Sequence, residues 1–290
     1  MNTRPVAWFH AQFEVPAEWE TVRHSANRLA GRLEFATRAG FQALFSWQAC
    51  RREPDAHRMM LEFLRREIAK TDPERARNLR DLRAGRVGAF ETGHAGEGLP
   101  CLAARYLPAA GQYVQWIFPR FDAARFAREW SPLLLGTRPN DGPRRRWCLF
   151  GLDLRLPDEL DLEHAEVFPA DVTLLFESRR KLAVHAHRWG LPEELLRGTT
   201  LADFYHRVLL RRHSVVRRVY ETALGGRRAV GIDFDRRGEF QLDTLAGRRW
   251  KGRGTAWHDA AEQRIYAVEV AGRGRVPDLA PGEMFSHVAA

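Results

Sequence analysis

The sequence predicts an α+β protein of two tandem similar units, each a mainly antiparallel sheet packed with helices. Three observations predict it. Several short runs alternate apolar and polar residues, the period of a half-buried strand. Other segments space apolar residues three and four apart, the period of an amphipathic helix. The order of these segments then recurs at a shift of 141 residues, without a gap from Phe13 to Ala69.

In the first half, Phe13 and Val15 alternate in a strand that ends at Pro16. Leu33 and Phe35 mark a second strand, Thr37–Gly40 a turn, and Phe41, Ala43 and Phe45 a third strand. A helix starts near Pro54-Asp55, with Met60, Phe63, Leu64 and Ile68 on one face. Strands follow at Leu99–Arg105 and Gln112–Phe118. Asp122 is a candidate N-cap for a closing helix that aligns Phe126, Trp130 and Leu134, and Pro132 ends or kinks it. The Gly- and Pro-rich stretch from Gly136 to Arg146 reads as a connection. The expected domains are residues 1–137, a linker at 138–146, and residues 147–290.

The second half repeats the plan. Leu154–Leu160 echoes Phe13–Trp19, and Leu174 and Phe176 echo Leu33 and Phe35. Leu182, Val184 and Ala186 echo the third strand, and Phe204 falls on Phe63. Thr200-Leu201-Ala202-Asp203 resembles a capping box before a stripe of Leu201, Phe204, Tyr205 and Val208. Strands are expected at Arg218–Thr222, Ala229–Phe234 and Ile265–Val270. An added segment, Gly247–Asp259, precedes the last of them, and a short one, Pro277–Val288, follows it. Only 8 of 57 aligned residues are identical, so the order and register of the elements carry the repeat. Register is demanding, because a one-residue slip turns a strand's apolar side to water. Phe35 and Phe176 are therefore expected in equivalent buried places, each against the helix of Phe63 or Phe204.

Composition bounds the function. At 290 residues, 44% hydrophobic and 29% charged, the chain has a globular balance. It has no apolar run of membrane-span length and no apolar stretch of signal-peptide length at its start. Cys50, Cys101 and Cys148 are dispersed, which suits a reducing compartment and a cytoplasmic location. The net charge of +9 invites a nucleic-acid reading. The lysines are only Lys70, Lys181 and Lys251, however, and an arginine-heavy chain also follows from GC-rich codon usage.

Phosphate-loop, dinucleotide, nucleophile-elbow and zincin motifs are absent, and no cofactor is implied. Gly93-His94-Ala95-Gly96-Glu97-Gly98 lacks the lysine and helix of a phosphate loop and reads as a hairpin loop. His185 and His187 are the candidate metal ligands: two apart on a strand, both rings share a face. His164, His206 or His213 is the expected third ligand. The alternative is an exposed strand face, with Leu182, Val184 and Ala186 turned to the core. In Trp257-His258-Asp259 the last two side chains point apart, against an oriented imidazole. Arg144, Arg145, Arg146 and Trp147, with Arg248, Arg249 and Trp250, are the candidate binding residues, since Trp and Arg concentrate at interfaces.

Phe13-Glu14-Val15-Pro16-Ala17-Glu18-Trp19 and its echo Leu154–Leu160 resemble the strand-Pro-aromatic opening of the Mog1/PsbP-like fold, an antiparallel sheet flanked by helices. The resemblance covers each half separately. It implies a binding or assembly factor rather than an enzyme, and it assigns no residue a role. The expected function is thus a non-enzymatic binding or assembly protein with a protein partner. The alternatives are a nucleic-acid-binding protein using arginine clusters and aromatics, and an enzyme of unrecognised type.

Overall fold

Strand accounts for 52% of the described residues and helix for 20%, which overturns the expected helix-packed α+β class: the protein is mostly β, built from large antiparallel sheets with few helices. The computed structural model describes residues 2–179, 182–212, 214–237, 249–279 and 283–285. The chain divides into two units, Met1–Asp141 and Gly142–Ala290. Among the described residues no helix is long and apolar enough to cross a membrane.

The first unit runs β1 (Thr3–Trp8), β2 (Ala11–Pro16), β3 (Glu20–His24), β4 (Ala30–Thr37), β5 (Gly40–Ala49), α1 (Ala56–Ala69), α2 (Pro73–Asn78), β6 (Arg83–Val87), β7 (Phe90–His94), β8 (Cys101–Leu107) and β9 (Gln112–Phe118). Then come α3 (Ala123–Arg125), a π-helical turn at Phe126–Trp130, α4 (Ser131–Gly136) and β10 (Arg138–Pro139). Seven strands form a sheet in the order β3-β4-β5-β9-β8-β7-β6, and β2 pairs with both β1 and β10. Asp55 caps α1 by accepting the Arg58 backbone N–H. One face of the sheet buries Leu102, Ala104, Tyr113 and Ile117 against Met60, Leu64 and Ile68 of α1. On the other side, Phe13 packs edge-on against Phe35 and Trp116 and tilted against Phe45.

The second unit runs β11 (Arg144–Leu149), β12 (Leu152–Pro157), β13 (Asp161–Phe168), β14 (Asp171–Glu177), β15 (Leu182–Trp189), α5 (Pro192–Leu195), α6 (Leu201–Arg211), β16 (Ser214–Leu224), β17 (Arg227–Arg237), β18 (Arg249–Asp259) and β19 (Arg264–Arg273). Its seven-stranded sheet has the order β13-β14-β15-β19-β18-β17-β16, every neighbouring pair antiparallel. Thr200 caps α6 by accepting the Asp203 N–H. Tyr205 and Leu209 of α6 pack on Trp189, Ile232, Phe234, Ala256, Ile265 and Ala267.

Three local expectations differ from the structure. The closing helix of the first unit passes through a π-helical turn and continues beyond Pro132, which lies in the first turn of α4. The stretch read as a linker carries β10 and the start of β11, and Asn140 within it is buried, donating to the Phe9 carbonyl. Phe35 and Phe176 are both fully buried, but their aromatic partners are Phe13, Trp19 and Trp116 for one and Trp147 for the other. These lie away from the helices, because both faces of each large sheet are covered.

Candidate functional site

Covering both faces decides where the histidines go. On β15, Val184 and Ala186 point to one side, and His185, His187 and Trp189 point to the side that α6 covers. His185 and His187 are therefore buried, not on an open strand face. Antiparallel pairing sets Glu269 of β19 directly opposite His185, and Glu269 is buried as well. One ligand atom from each of His185, His187 and Glu269 lies within 4.8 Å of the other two.

The partner is thus a carboxylate that no local motif could reveal, since β19 meets β15 only in the folded sheet. The expected third ligands stand elsewhere. His164 is on β13 beside Glu166, at 3.2 Å. His206 lies on α6 outside the cluster. His213 is outside the described residues.

A guanidinium sits among the three. Arg212 follows α6 at its C-cap, and its Nη1 is 2.9 Å from His187 Nε2, 3.3 Å from His185 Nδ1 and 3.7 Å from Glu269 Oε2. Arg236 Nη1 lies 2.9 Å from His185 Nε2, and Thr173 Oγ1 lies 3.0 Å from His187 Nδ1. A guanidinium only donates, so the 2.9 Å contact makes His187 Nε2 an acceptor and leaves its Nδ1–H to donate to Thr173. His187 also stacks on Trp189 at 5.0 Å.

Burial pushes His185 down to about 3 and lowers His187 in the same direction, so both rings are neutral at physiological pH. Burial works to raise the Glu269 carboxyl, but the close approach of His187, at 3.4 Å, and the positive charge of the Arg212 guanidinium outweigh it and hold it below the ordinary carboxylate range. The cluster is a pair of neutral imidazoles and one carboxylate closed around an internal cation. The Tyr205 hydroxyl is buried beside it without a hydrogen-bond partner among the described residues, and burial raises its pKa well above the ordinary value.

The arginine candidates face internal carboxylates. Arg145 is buried against Asp158 and Asp161, Arg146 is 2.6 Å from the buried Asp153, and Arg144 is 2.9 Å from Glu283. Trp147 is fully buried, and Trp250 packs partly buried beside the α6 core. Arg248 and the Arg249 side chain lie outside the described residues. Asp259 pairs with Arg227 at 3.2 Å and caps the turn at Ala261 and Glu262, away from any role with His258. Burial raises the Cys101 thiol to about 12.

The surface feature next to the cluster is β16, which begins two residues after Arg212. It is the last strand of its sheet, and among the described residues no strand pairs with its outer side. Along its 11 residues Val215 is 47% and Val219 44% exposed. A bulge lies between Val216 and Arg218. Arg217 pairs with Asp235 at 2.7 Å, and Arg218 lies over the Tyr220 ring.

No protein-family model matches the chain, and no curated protein matches it. Among solved structures it is similar to the type VI secretion immunity protein TplEi of Pseudomonas aeruginosa. The form complexed with an "L" peptide gives a TM-score of 0.36 at 10% identity over 97% of this chain and 90% of that one. The apo form gives 0.32 at 11% over 92% and 90%. A Pseudomonas aeruginosa protein of unknown function, PA94, gives 0.25 at 15% over 49% and 86%. Likeness at these TM-scores carries no inference about function.

Proposed function

We propose that this protein is a non-enzymatic binding module whose second unit takes an extended, acidic segment of a protein partner as an added strand along β16. The observation that carries the reading is the 11-residue outer edge of β16, with which no strand pairs among the described residues, and its exposed valines. An edge strand presents unpaired backbone N–H and C=O groups that template another strand. Strand addition takes affinity from those groups and specificity from alternate side chains.

Charge selects the occupant. Arg218 stands on the strand over the Tyr220 ring, and although Arg217 pairs with Asp235 and Arg228 with Glu221, β16 and β17 together keep an excess of positive charge. A second copy of β16 would set like charges against each other, which is unfavourable. A segment alternating Glu with Val meets both the arginines and the valines. The buried histidine cluster supports the non-enzymatic side of the reading, because its donor atoms already face Arg212 and Arg236.

The test is fluorescence anisotropy with a labelled ten-residue peptide alternating Glu and Val, and a Lys-Val peptide as control. The acidic peptide should bind, the control should not, and Val215→Asp with Val219→Asp should weaken binding on the order of tenfold. Equal binding of both peptides, or binding unchanged by the double substitution, would overturn the reading.

A further inference from the structure

We propose that His185, His187 and Glu269 form a divalent-cation site of the zinc type, and that the guanidinium of Arg212 occupies it as a resident cation that a metal must displace.

The donor set is the first reason. Two imidazoles and one carboxylate are the ligands of many catalytic and mixed zinc sites, and they suit zinc or cobalt better than magnesium or calcium. His187 has the supporting contact that metal-bound histidines carry: Nδ1 faces Thr173 Oγ1 at 3.0 Å while Nε2 points to the centre.

The second reason is what stands in the centre. Arg212 Nη1 approaches a donor atom of all three residues, at 2.9, 3.3 and 3.7 Å. His185 accepts from Arg236 at Nε2, so the Arg212 guanidinium is held by His187 and Glu269 and lies against His185 Nδ1, at distances longer than the roughly 2.0–2.2 Å of a zinc bond. The donor atoms, within 4.8 Å of one another, would close by about 1 Å around a metal of that size.

The third reason is that Arg212 has somewhere to go. It stands at the end of α6 rather than inside a strand, and its side chain is 25% exposed. Swinging outward carries the charge to water and opens the centre. Binding through His185 Nδ1 also moves that ring's proton to Nε2, where Arg236 now donates, so Arg236 has to turn as well. Metal and guanidinium therefore compete, and the closed form lowers the apparent metal affinity by the fraction of molecules that are open. With the open form near 1%, wild type binds about 100-fold more weakly than a chain without the guanidinium.

The test is titration of the full chain with Co(II), read by its visible absorption, and with Zn(II), read by calorimetry. Arg212→Ala and Arg212→Met, the latter keeping an apolar stem over the sheet, should each take one ion per chain about 100-fold more tightly than wild type. Arg212→Lys, which keeps a cation, should stay near wild type. Adding His187→Gln to Arg212→Met should abolish the gain, and millimolar guanidinium should compete with Co(II) in Arg212→Ala. Circular dichroism identifies the folded variants. If the folded variants bind no ion, the three donors do not form a site; if they bind no more tightly than wild type, Arg212 is not its occupant. The peptide assay on β16 is read separately, so failure of either proposal leaves the other standing.

Discussion

At the scale of single residues, the buried imidazoles make stability pH-dependent. The folded chain resists protonating His185 until about pH 3, whereas the unfolded chain takes that proton near pH 6.5. Between those values the unfolded state holds more protons, so stability falls as the pH falls, by up to about 1.4 kcal/mol per pH unit for each such histidine. His187 shifts the same way. Glu269 adds to the loss only as the pH falls below the ordinary carboxylate range. Thermal melts from pH 7.5 to 5 should show a declining midpoint, and His185→Gln should flatten the decline; a midpoint independent of pH in wild type would contradict neutral burial. The arginine run gives a second comparison. Arg146→Ala leaves the carboxylate of the buried Asp153 without its bidentate partner, and breaking such a pair costs about 3–5 kcal/mol. Arg144→Ala breaks an exposed pair with Glu283 and should cost about 0–1 kcal/mol. Chemical denaturation distinguishes them, and equal effects would mean that Arg146 is as dispensable as a surface residue. The sequence pointed to His185 and His187 through their spacing. It was silent on Glu269 and Arg212, because one arrives by strand pairing and the other from the end of a helix.

At the scale of elements, α6 is held to its sheet by a close approach at one glycine. A Cβ on Gly254 of β18 would come within 2.0 Å of the Tyr205 hydroxyl and 3.3 Å of Glu269 Cγ. Gly254→Ala should therefore lift α6 from the sheet and destabilise by about 1–3 kcal/mol. Tyr205→Phe removes the clashing oxygen, which has no hydrogen-bond partner among the described residues. Alone it should be nearly neutral, and combined with Gly254→Ala it should recover part of the loss. A double-mutant cycle measures this coupling, and strict additivity would show that the two groups do not meet. The helix start near Pro54-Asp55, the caps at Asp122 and Thr200 and the stripes of α1 and α6 were legible, because capping and helical period are local signals. Which face of β15 each helix covers was not. Alternation along a strand says which residues share a side, but not that both sides will be buried. That is why His185 and His187 were open to reading as solvent-facing, and why Phe35 was expected against α1. The hairpin of β6 and β7, and the strands β10 and β11 at the expected linker, were missed for a related reason: arginine-, glycine- and proline-rich runs such as Arg83–Val87 lack the apolar alternation by which a strand announces itself.

At the scale of the whole molecule, the issue is what the excess positive charge does. The chain carries 46 Lys and Arg against 37 Asp and Glu, enough to suggest nucleic acid from the sequence alone. In the structure many of the arginines stand against carboxylates in both units: Arg32 with Glu34, Arg58 with Glu62, Arg125 with Glu129, Arg217 with Asp235, and Arg228 with Glu221. A guanidinium already held by a carboxylate must break that pair before it can neutralise a phosphate and release a counterion. Few phosphates should then be neutralised at once, and the affinity of a DNA-binding surface scales with that number. Duplex DNA should bind this protein only at low ionic strength, with a salt slope corresponding to about three phosphates or fewer, and should be gone at about 0.15 M salt, where the Debye length is near 8 Å. The Glu-Val peptide on β16 should weaken with salt as well but keep measurable affinity there, because backbone pairing and burial of Val215 and Val219 are not screened. Parallel anisotropy titrations of a 20-base-pair duplex and the peptide from 0.05 to 0.3 M NaCl compare the two on one scale. If the duplex holds its affinity through 0.15 M with a slope of six or more while the peptide is lost, the arginines form a continuous phosphate-binding surface, and the binding role belongs to nucleic acid rather than to a protein strand.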